Sequence, residues 1–383
     1  MNRPETTKQD GVALVLVLWA LVFLSALATN FASGMRVQAK LTRNNVDQIQ
    51  AYYAARGGVD LAVARTMQRI QYTQKHATRN ADTRSATNNL NLDNVHGVGD
   101  KDQEQEQEEQ ELWKIDGSPN DAKLQGMNLR VFITNEAGKV DINDSSETIL
   151  RNLLEQFKLT TEEIDVIVDS VADWKDGDNL HRMNGAEDDY YEALDPPYKA
   201  KNDKFSSVEE LLRVRGVTPD ILYRTLSATE EGGQPAVAAD TGSANAGEGG
   251  EGEQGQEQAQ LRLIDCLTVY NKGGKIDLRY APAPVLRSLP LMSAGLADRL
   301  LELRQDLSGE RMTAAEIRQS LGEDIYAGIQ GYVNLTSGNA TYFSIVSEAH
   351  MQNGFVAKIK AMLNIPSRGN AQATVIQWTD WVS

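Results

Sequence analysis

Acidic side chains crowd one polar stretch of the chain, residues 171–198, which reads VADWKDGDNLHRMNGAEDDYYEALDPPY. Carboxylates on a loop are the hard oxygen ligands that Ca²⁺ takes, at about six to eight oxygens per ion, whereas Mg²⁺ requires a smaller and stricter octahedron. The spacing differs from that of an EF-hand loop, so a solvated loop whose aspartates form turns is the alternative. The candidate metal ligands are Asp173, Asp176, Asp178, Glu187, Asp188 and Asp189.

Residues suited to other catalytic chemistry are few. The histidines are His76, His96, His181 and His350. None of them has an evident nucleophile or a histidine-based metal spacing nearby. Paired carboxylates near Asp173 could do acid–base work, as in glycoside hydrolysis, but nothing else in the chain indicates a sugar cleft. The sequence therefore predicts that the protein is not an enzyme. Its single cysteine, Cys266, excludes an intrachain disulfide.

The net charge of the chain indicates which kinds of partner it can bind. The chain of 383 residues has a formal net charge of -16. Binding to nucleic acid phosphates depends on patches of Lys and Arg, so no nucleic acid partner is expected. Acidic charge does suit a divalent cation, and the length allows two or three domains.

A long apolar run begins at Gly11. Residues 11–35 contain no Asp, Glu, Lys or Arg, and about 20 apolar residues suffice for a helix to cross a bilayer. A secretory signal peptide carries its small-residue cleavage site after the apolar core, whereas here the small residue lies at the start of the run. The junction is typical of a prepilin leader, residues 1–11, which is cut between Gly11 and Val12. An uncleaved single-span anchor is the alternative.

The apolar helix is predicted to continue as an amphipathic one, so that one helix covers residues 12–72, with residues 12–35 as its transmembrane part. Gly57 and Gly58 would let this helix approach a sheet closely or bend it. Two polar segments lack the apolar content that offsets the entropy of ordering. They are predicted to be a flexible acidic loop with a connection, residues 73–126, and a disordered loop, residues 229–260.

An internal repeat opens two helical units. Residues 139–153, KVDINDSSETILRNL, align without gaps on residues 275–289, KIDLRYAPAPVLRSL, and each copy follows a glycine. The pattern predicts a turn and a short extended piece, followed by a helix that begins after a cap-like Ser145 or after Pro282.

A helix-hairpin-helix pattern follows the first copy, over residues 205–226. Ser207 and Glu210 have the spacing of a capping box, and a glycine turn leads into a second helix. Such hairpins often bind nucleic acid phosphates through backbone amides, and Arg213 and Arg215 give some support to this use. The alternative function is therefore a membrane-anchored helix-hairpin-helix DNA-binding or DNA-uptake receptor of the ComEA kind. The surrounding acidity favours a helical scaffold instead.

Strand signals flank the helical region. Residues 127–142 predict strand, turn and strand, Asn353 and Gly354 predict a hairpin turn, and residues 375–383 could add an edge strand. The predicted fold class is α+β, with a pilin-like long N-terminal transmembrane helix, an antiparallel sheet and a large inserted α-helical domain of helix-hairpin-helix repeats. The predicted boundaries are residues 127–143 and 336–383 for the β domain and residues 144–335 for the inserted domain.

Together these features resemble the type IV pilin and pseudopilin superfamily, and within it the minor pseudopilin K family of type II secretion. The resemblance is carried by the Gly11-Val12 junction, by the glycine-lysine opening of each repeat copy, and by the segment DWKDGD…NGAEDDYY from Asp173. It implies cleavage by a prepilin peptidase, N-methylation of Val12 and calcium at the acidic cluster. The second repeat copy departs from the family pattern, with Arg279 and Tyr280 where asparagine is usual.

The resemblance also implies a structural role. Most pilins have a glutamate where this chain has Leu16, and there it is thought to pair with the N-terminal amine of a neighbouring subunit. A carboxylate in an apolar zone is costly unless it is paired, so a subunit with leucine suits the tip of the filament. The implied function is to cap a periplasmic pseudopilus together with the minor pseudopilins I, J and H. The implied location is the inner membrane, spanned once, with the C-terminal bulk in the periplasm.

Overall fold

The computed structural model describes residues 10–87, 112–226, 261–306, 312–335, 341–351, 353–366 and 372–382. Most of the predicted leader, residues 1–9, therefore lies outside the described residues. So do residues 88–111, the middle of the first predicted loop, and residues 227–260, which include the whole of the second. The remaining elements form a long helix, a sheet and a helical region.

The long helix, α1, runs from Asp10 to Thr87 without interruption. Its side chains from Leu14 to Val46 are exposed, including the whole apolar window that is long enough to span a membrane. The prediction that the helix ends at residue 72 is wrong, since residues 73–87 are also helical. These residues continue a helix that is already nucleated, so each one adds a backbone hydrogen bond without a new nucleation cost.

An antiparallel sheet of five strands packs against the second half of α1. The strands are β1 (Asp116–Leu124), β2 (Met127–Asn135), β7 (Tyr342–His350), β8 (Val356–Asn364) and β9 (Thr374–Val382), in the order β1-β2-β7-β8-β9. The predicted hairpin turn at Gly354 joins β7 to β8, and the predicted edge strand is β9. Both predictions are confirmed.

Strand β1 lies where a flexible connection was predicted, so that part of the prediction is wrong. Its sequence, DGSPNDAKL, has poor strand propensity, and turn chemistry decides its structure instead. Gln125 and Gly126 both have positive φ values, 50° and 83°, as a two-residue hairpin turn requires. The turn folds β1 back onto β2, and Pro119 is tolerated because β1 is an edge strand.

Helix α1 approaches the sheet closely at two glycines, as predicted. A Cβ atom at Gly57 would lie 2.6 Å from Leu124 Cδ2, and one at Gly58 would collide with Ser347 Oγ. Small buried alanines on the same helix face, such as Ala51 and Ala55, pack against Ile345 and the other apolar side chains of the sheet. The alternative of a bend at these glycines is not seen, because α1 continues through them.

The chain leaves the sheet after β2 and returns at β7. The predicted hairpin over residues 127–142 is wrong, because β2 is followed by a short 3₁₀ helix, Glu136–Gly138, whose N-terminus is capped by Asn135. The next strand, β3 (Val140–Asp141), pairs in parallel with β4 (Leu267–Thr268) instead of with β2. Since Asn135 and Phe343 are paired residues of β2 and β7, the helical region lies between two neighbouring strand ends, where an insertion is tolerated.

The helical region is built from two related units. In the second unit β5 (Ile276–Asp277) pairs in parallel with β6 (Val333–Asn334), just as β3 pairs with β4. The helices of the region are α2 (Glu147–Gln156), α3 (Thr161–Lys175), α4 (Asp188–Glu192), α5 (Pro219–Leu222), α6 (Ala283–Arg287), α7 (Ala294–Asp306), α8 (Ala314–Leu321) and α9 (Glu323–Ile329).

The two repeat copies contact each other reciprocally. A Cβ atom at Gly138 would collide with the backbone of Tyr280, and one at Gly274 would collide with the backbone of Asp144. Each glycine directly precedes the lysine of its own copy, and each contact lies five residues after the lysine of the other copy. The repeat seen in the sequence is therefore a structural duplication with approximately twofold related contacts.

Three helix starts can be compared with their predictions. Ser146 caps α2 by accepting a hydrogen bond from Thr148 N, so the prediction of Ser145 is wrong by one residue. Ser145 Oγ instead accepts a hydrogen bond from Asp141 N at 3.0 Å. Pro282 precedes α6 as predicted. Ser207 makes no capping bond and precedes a 3₁₀ helix, Val208–Arg213, and Glu210 accepts from the backbone N–H of Ser206 instead.

Candidate functional site

Three of the six predicted ligands converge at one point. Carboxylate oxygens of Asp173, Asp176 and Glu187 all lie within 4.8 Å of one another. Asp173 is in the last turn of α3, Asp176 is the residue that ends this helix, and Glu187 precedes the first turn of α4. Helix α3 is held in place by a capping box of Thr160 with Glu163 and by its buried apolar face.

Two of these carboxylates are buried, Asp176 is half-buried, and all three are incompletely hydrogen-bonded. Asp173 is 0% exposed and Glu187 is 1% exposed. Asp173 Oδ1, Asp176 Oδ1 and both carboxylate oxygens of Glu187 have no hydrogen-bond partner among the described residues. Arg182 Nε lies 3.6 Å from Asp173 Oδ1 and offsets part of the negative charge. Leaving the other carboxylates ionised is costly, so the cluster favours a bound proton or a further cation.

The pKa values of the cluster also favour a bound proton or cation. Burial raises the pKa of Glu187 to about 7, and the negative charges of Asp173, Asp176, Asp178 and Asp188 add to the rise. Burial also raises the pKa of Asp173 above its usual value. With a pKa of about 7, the Glu187 carboxyl group is partly protonated near neutral pH when no cation is present.

A loop closes over the cluster. The backbone N–H of Arg182 donates to Asp173 Oδ2 at 3.0 Å, and the side chain of Arg182 pairs with Glu147 at 2.7 Å. Asn184 donates to Asp169 Oδ2 from both its backbone and its side chain, each at 3.1 Å. Gly185 lies against Asp173 so closely that a Cβ atom would collide with Oδ2.

Asp169 is a positioning residue that the sequence reasoning missed. It lies four residues before Asp173 and seven before Asp176, and this spacing places all three on one face of a helix. That periodicity was the available signal. It groups Asp169 with Asp173 and Asp176 but does not identify Glu187, which follows in the loop.

The other three predicted ligands make different contacts. Asp188 accepts hydrogen bonds from Lys199 Nζ at 3.1 Å and from Ala200 N at 3.0 Å. Asp178 is exposed and accepts from Leu180 N, and Asp189 is exposed and accepts from Tyr190 N. The charges of Asp178 and Asp188 nevertheless reach Glu187.

An aromatic layer that includes Trp174 and Tyr191 packs beneath the loop. Both are fully buried, with ring centroids 5.1 Å apart at 85°. Glu210 accepts a hydrogen bond from Trp174 Nε1 at 3.0 Å and one from Lys201 at 3.0 Å. Glu210 Oε2 also accepts a hydrogen bond from the backbone N–H of Ser206 at 2.9 Å, so its capping contact lies one residue before the predicted partner, Ser207.

The two arginines considered for DNA binding belong to this layer. The guanidinium of Arg213 lies 4.7 Å from the ring centroid of Tyr198, and that of Arg215 lies 5.0 Å from Tyr190. Arg215 also donates to the backbone oxygen of Gly185 at 2.9 Å. Both side chains therefore stabilise the acidic loop.

The second candidate site, the processing junction, lies in the first turns of α1. The helix already includes Gly11 and Val12, since it begins at Asp10. Leu16 is 66% exposed, and the apolar side chains that follow it also face outward. The apolar first part of α1 has no packing partner among the described residues, as expected of a membrane anchor.

Comparisons with known proteins agree with this fold. Residues 88–228 match the family model described as type II secretion system (T2SS), protein K. Over 78 residues, 20% of this chain and 24% of the relative, the chain is 42% identical to a type II secretion system protein K of Pectobacterium carotovorum subsp. carotovorum. It is 26% identical over 232 residues, 58% of this chain and 63% of the relative, to the protein K of Aeromonas hydrophila.

The matches thus span about a quarter to just under two thirds of the length of these relatives. Among solved structures, a chain of the crystal structure of the GspK-GspI-GspJ complex from the enterotoxigenic Escherichia coli type 2 secretion system aligns with a TM-score of 0.51 and 13% identity. The alignment covers 89% of this chain and 99% of that chain, so the two share a fold. The predicted resemblance to the protein K family is confirmed.

Proposed function

We propose that this chain is a minor pseudopilin of type II secretion, a structural subunit that supports protein export rather than an enzyme. The observation that carries the proposal is the architecture. The apolar start of α1 is exposed, and the second half of the same helix packs on the five-stranded sheet. A helical region is inserted between the neighbouring strands β2 and β7. The same fold occurs in a chain of the GspK-GspI-GspJ complex.

The proposed place is the tip of a periplasmic pseudopilus, with the apolar start of α1 in the inner membrane. The partners are the minor pseudopilins I and J, which are named in the complex of similar fold, together with H. Leu16 needs no partner amine from a subunit above it. The inserted helical region adds bulk to one end of α1 and hinders another subunit from stacking there.

Processing by the prepilin peptidase is the first test of this proposal. Cleavage after Gly11 leaves 383 − 11 = 372 residues that begin with an N-methylated Val12. The intact mass of the membrane-extracted protein checks this directly. Gly11→Trp should block cleavage, because a bulky side chain fills the space that the peptidase needs. A mature mass unchanged by this substitution, with the peptidase present, would refute the leader.

Calcium is the proposed ligand of the acidic cluster. Asp173, Asp176 and Glu187 supply hard oxygens, and their unpaired buried atoms are the observation that fits a divalent cation. The bound ion would add to the positive charge of Arg182, which pairs with Asp173, and would fix the loop between α3 and α4. Melting temperatures that are equal in calcium and in chelator would favour the solvated loop instead.

The DNA-receptor alternative is not favoured. Its two supporting side chains, Arg213 and Arg215, are stacked on tyrosine rings. The chain as a whole carries a net charge of -16. Any DNA binding should be weak and should fall further as salt rises, because few basic residues can release counterions.

A further inference from the structure

A basic face on α1 directly follows the apolar run. Arg36, Lys40 and Arg43 are separated by four and three residues, which places them on one side of the helix. All three are exposed, and none has a hydrogen bond or ion pair with the described residues. Residues 11–46 contain these three charges and no acidic residue. This face therefore has a net charge of +3 in a chain whose net charge is -16.

The position of this basic face along α1 is defined at both ends. The uncharged run ends at Met35, immediately before Arg36. The globular part first contacts α1 near Asp47, whose Oδ2 accepts a hydrogen bond from Asn353 Nδ2 at 2.8 Å. At 1.5 Å per residue the distance from Arg36 to Asp47 is about 16 Å, so the basic face occupies the interval between the membrane and the sheet.

The direction of α1 orients the side chains of the basic face toward the membrane. Each Cα–Cβ bond in an α-helix tilts toward the N-terminus, and the N-terminal side of Arg36 is the apolar span. Long basic side chains near the end of a span extend to the headgroup layer. The positive heads of the basic face are thus directed at phosphate groups rather than toward the sheet.

We propose that Arg36, Lys40 and Arg43 form a docking surface for the headgroups of anionic phospholipids. This inference rests on the membrane anchor of the proposed function. It adds a lipid preference that holds the helix at a fixed depth, so that the sheet stands at a defined height above the bilayer. The occupant follows from charge complementarity, because three uncompensated positive charges meet a layer of negative phosphates.

The test uses the full chain in vesicles of phosphatidylcholine and phosphatidylglycerol in equal amounts. The lipids in contact with the protein are measured by electron spin resonance with spin-labelled versions of each lipid. A basic residue near an anionic surface is worth about fivefold in binding. We expect the wild-type chain to prefer phosphatidylglycerol by about fivefold or more, with a smaller preference at high salt. The triple variant R36Q/K40Q/R43Q should lose the preference.

The matched control is K123Q/K272Q/R299Q, which removes the same charge from exposed positions of the sheet and the helical region. This variant should keep the preference. Equal loss in the control would overturn the proposal, because net charge alone would then explain the selectivity. A preference retained by R36Q/K40Q/R43Q, together with weaker binding to pseudopilins I and J, would also overturn it, since the basic face would then serve a protein contact.

Failure of the anchor can be distinguished from failure of this inference. Extraction of the wild-type chain from the vesicles by alkaline carbonate would refute the membrane anchor, and the inference with it. A chain that resists extraction but shows no preference for phosphatidylglycerol would refute the inference alone.

Discussion

At the scale of single residues, the stability of the acidic loop depends on what neutralises Glu187. A cation that binds only the native state stabilises it by RT ln(1 + [L]/Kd), about 2.7 kcal/mol at a hundredfold excess over Kd. We expect the melting temperature of the wild-type chain to rise with calcium. Asp173→Asn and Glu187→Gln should abolish this rise. Asp189→Asn is the control and should keep it, because Asp189 is exposed and bonds only Tyr190 N.

Protonation of Glu187 gives a second prediction at this scale. Its folded-state pKa of about 7 lies above the ordinary 4.5, so without metal the folded state binds the proton more tightly than the unfolded state. The resulting stabilisation is complete below about pH 4.5 and is lost as the pH rises through about 7. Chemical unfolding in chelator across this pH range measures it. Glu187→Gln should remove this pH dependence, and an unchanged slope would contradict the assignment.

The sequence predicts the identity of the acidic segment but not which of its carboxylates converge. Asp173 and Glu187 lie fourteen residues apart, and they meet only because the loop is closed by the backbone of Arg182 and by Gly185. Asp188, the neighbour of Glu187, turns away to Lys199. Loop closure of this kind is a property of tertiary structure, and neither composition nor spacing encodes it.

At the scale of elements, two glycines of α1 differ in what surrounds them. A Cβ atom at Gly34 would meet nothing within 4 Å, whereas one at Gly58 would collide with Ser347. Gly58→Val should therefore overpack the helix–sheet contact and lower the free energy of unfolding by about 1–3 kcal/mol. Gly34→Val is the matched control and should leave the melting of the globular part unchanged. Equal melting temperatures of the two variants would contradict the close approach.

Element boundaries were predicted best where the local signal was strong. The turn at Asn353 and Gly354 combines favoured turn residues with alternating strands on both sides, and the structure confirms it. The predicted hairpin after β2 failed because Val140 and Asp141 pair with Leu267 and Thr268, residues distant in sequence. Local propensity does not report a partner strand that follows a long insertion.

Two glutamates at corresponding positions of the two units make different contacts. Glu210 and Glu316 each lie six residues before a glycine with positive φ, Gly216 at 84° and Gly322 at 91°. In the second unit Glu316 completes a capping box with Thr313. In the first unit Glu210 bonds Trp174 and Lys201 under the acidic loop. Glu210 also accepts from the backbone N–H of Ser206, so it holds both the start of its 3₁₀ helix and the aromatic layer under the acidic loop.

At the scale of the whole molecule, α1 connects two environments. Its exposed apolar start has no partner within the described chain, and its second half is covered by the sheet. Gly58 and the buried Ala51 and Ala55 face this chain's own sheet, so the surface of α1 that is available to other subunits lies on the opposite side. Tyr53, which is 62% exposed, lies on that surface, because five residues of α-helix separate it from Gly58 by about 140° around the axis.

The tip model can be tested from this position. With a photo-crosslinking residue in place of Tyr53, we expect products with pseudopilins I and J in cells that assemble the filament, because the exposed side of α1 is where neighbouring helices pack. The products should disappear in cells that lack I and J. No product should join two copies of this chain, since one copy caps each filament and the inserted region blocks the position above it. Abundant self-crosslinks would instead indicate an ordinary repeating subunit, and the tip model would then be wrong.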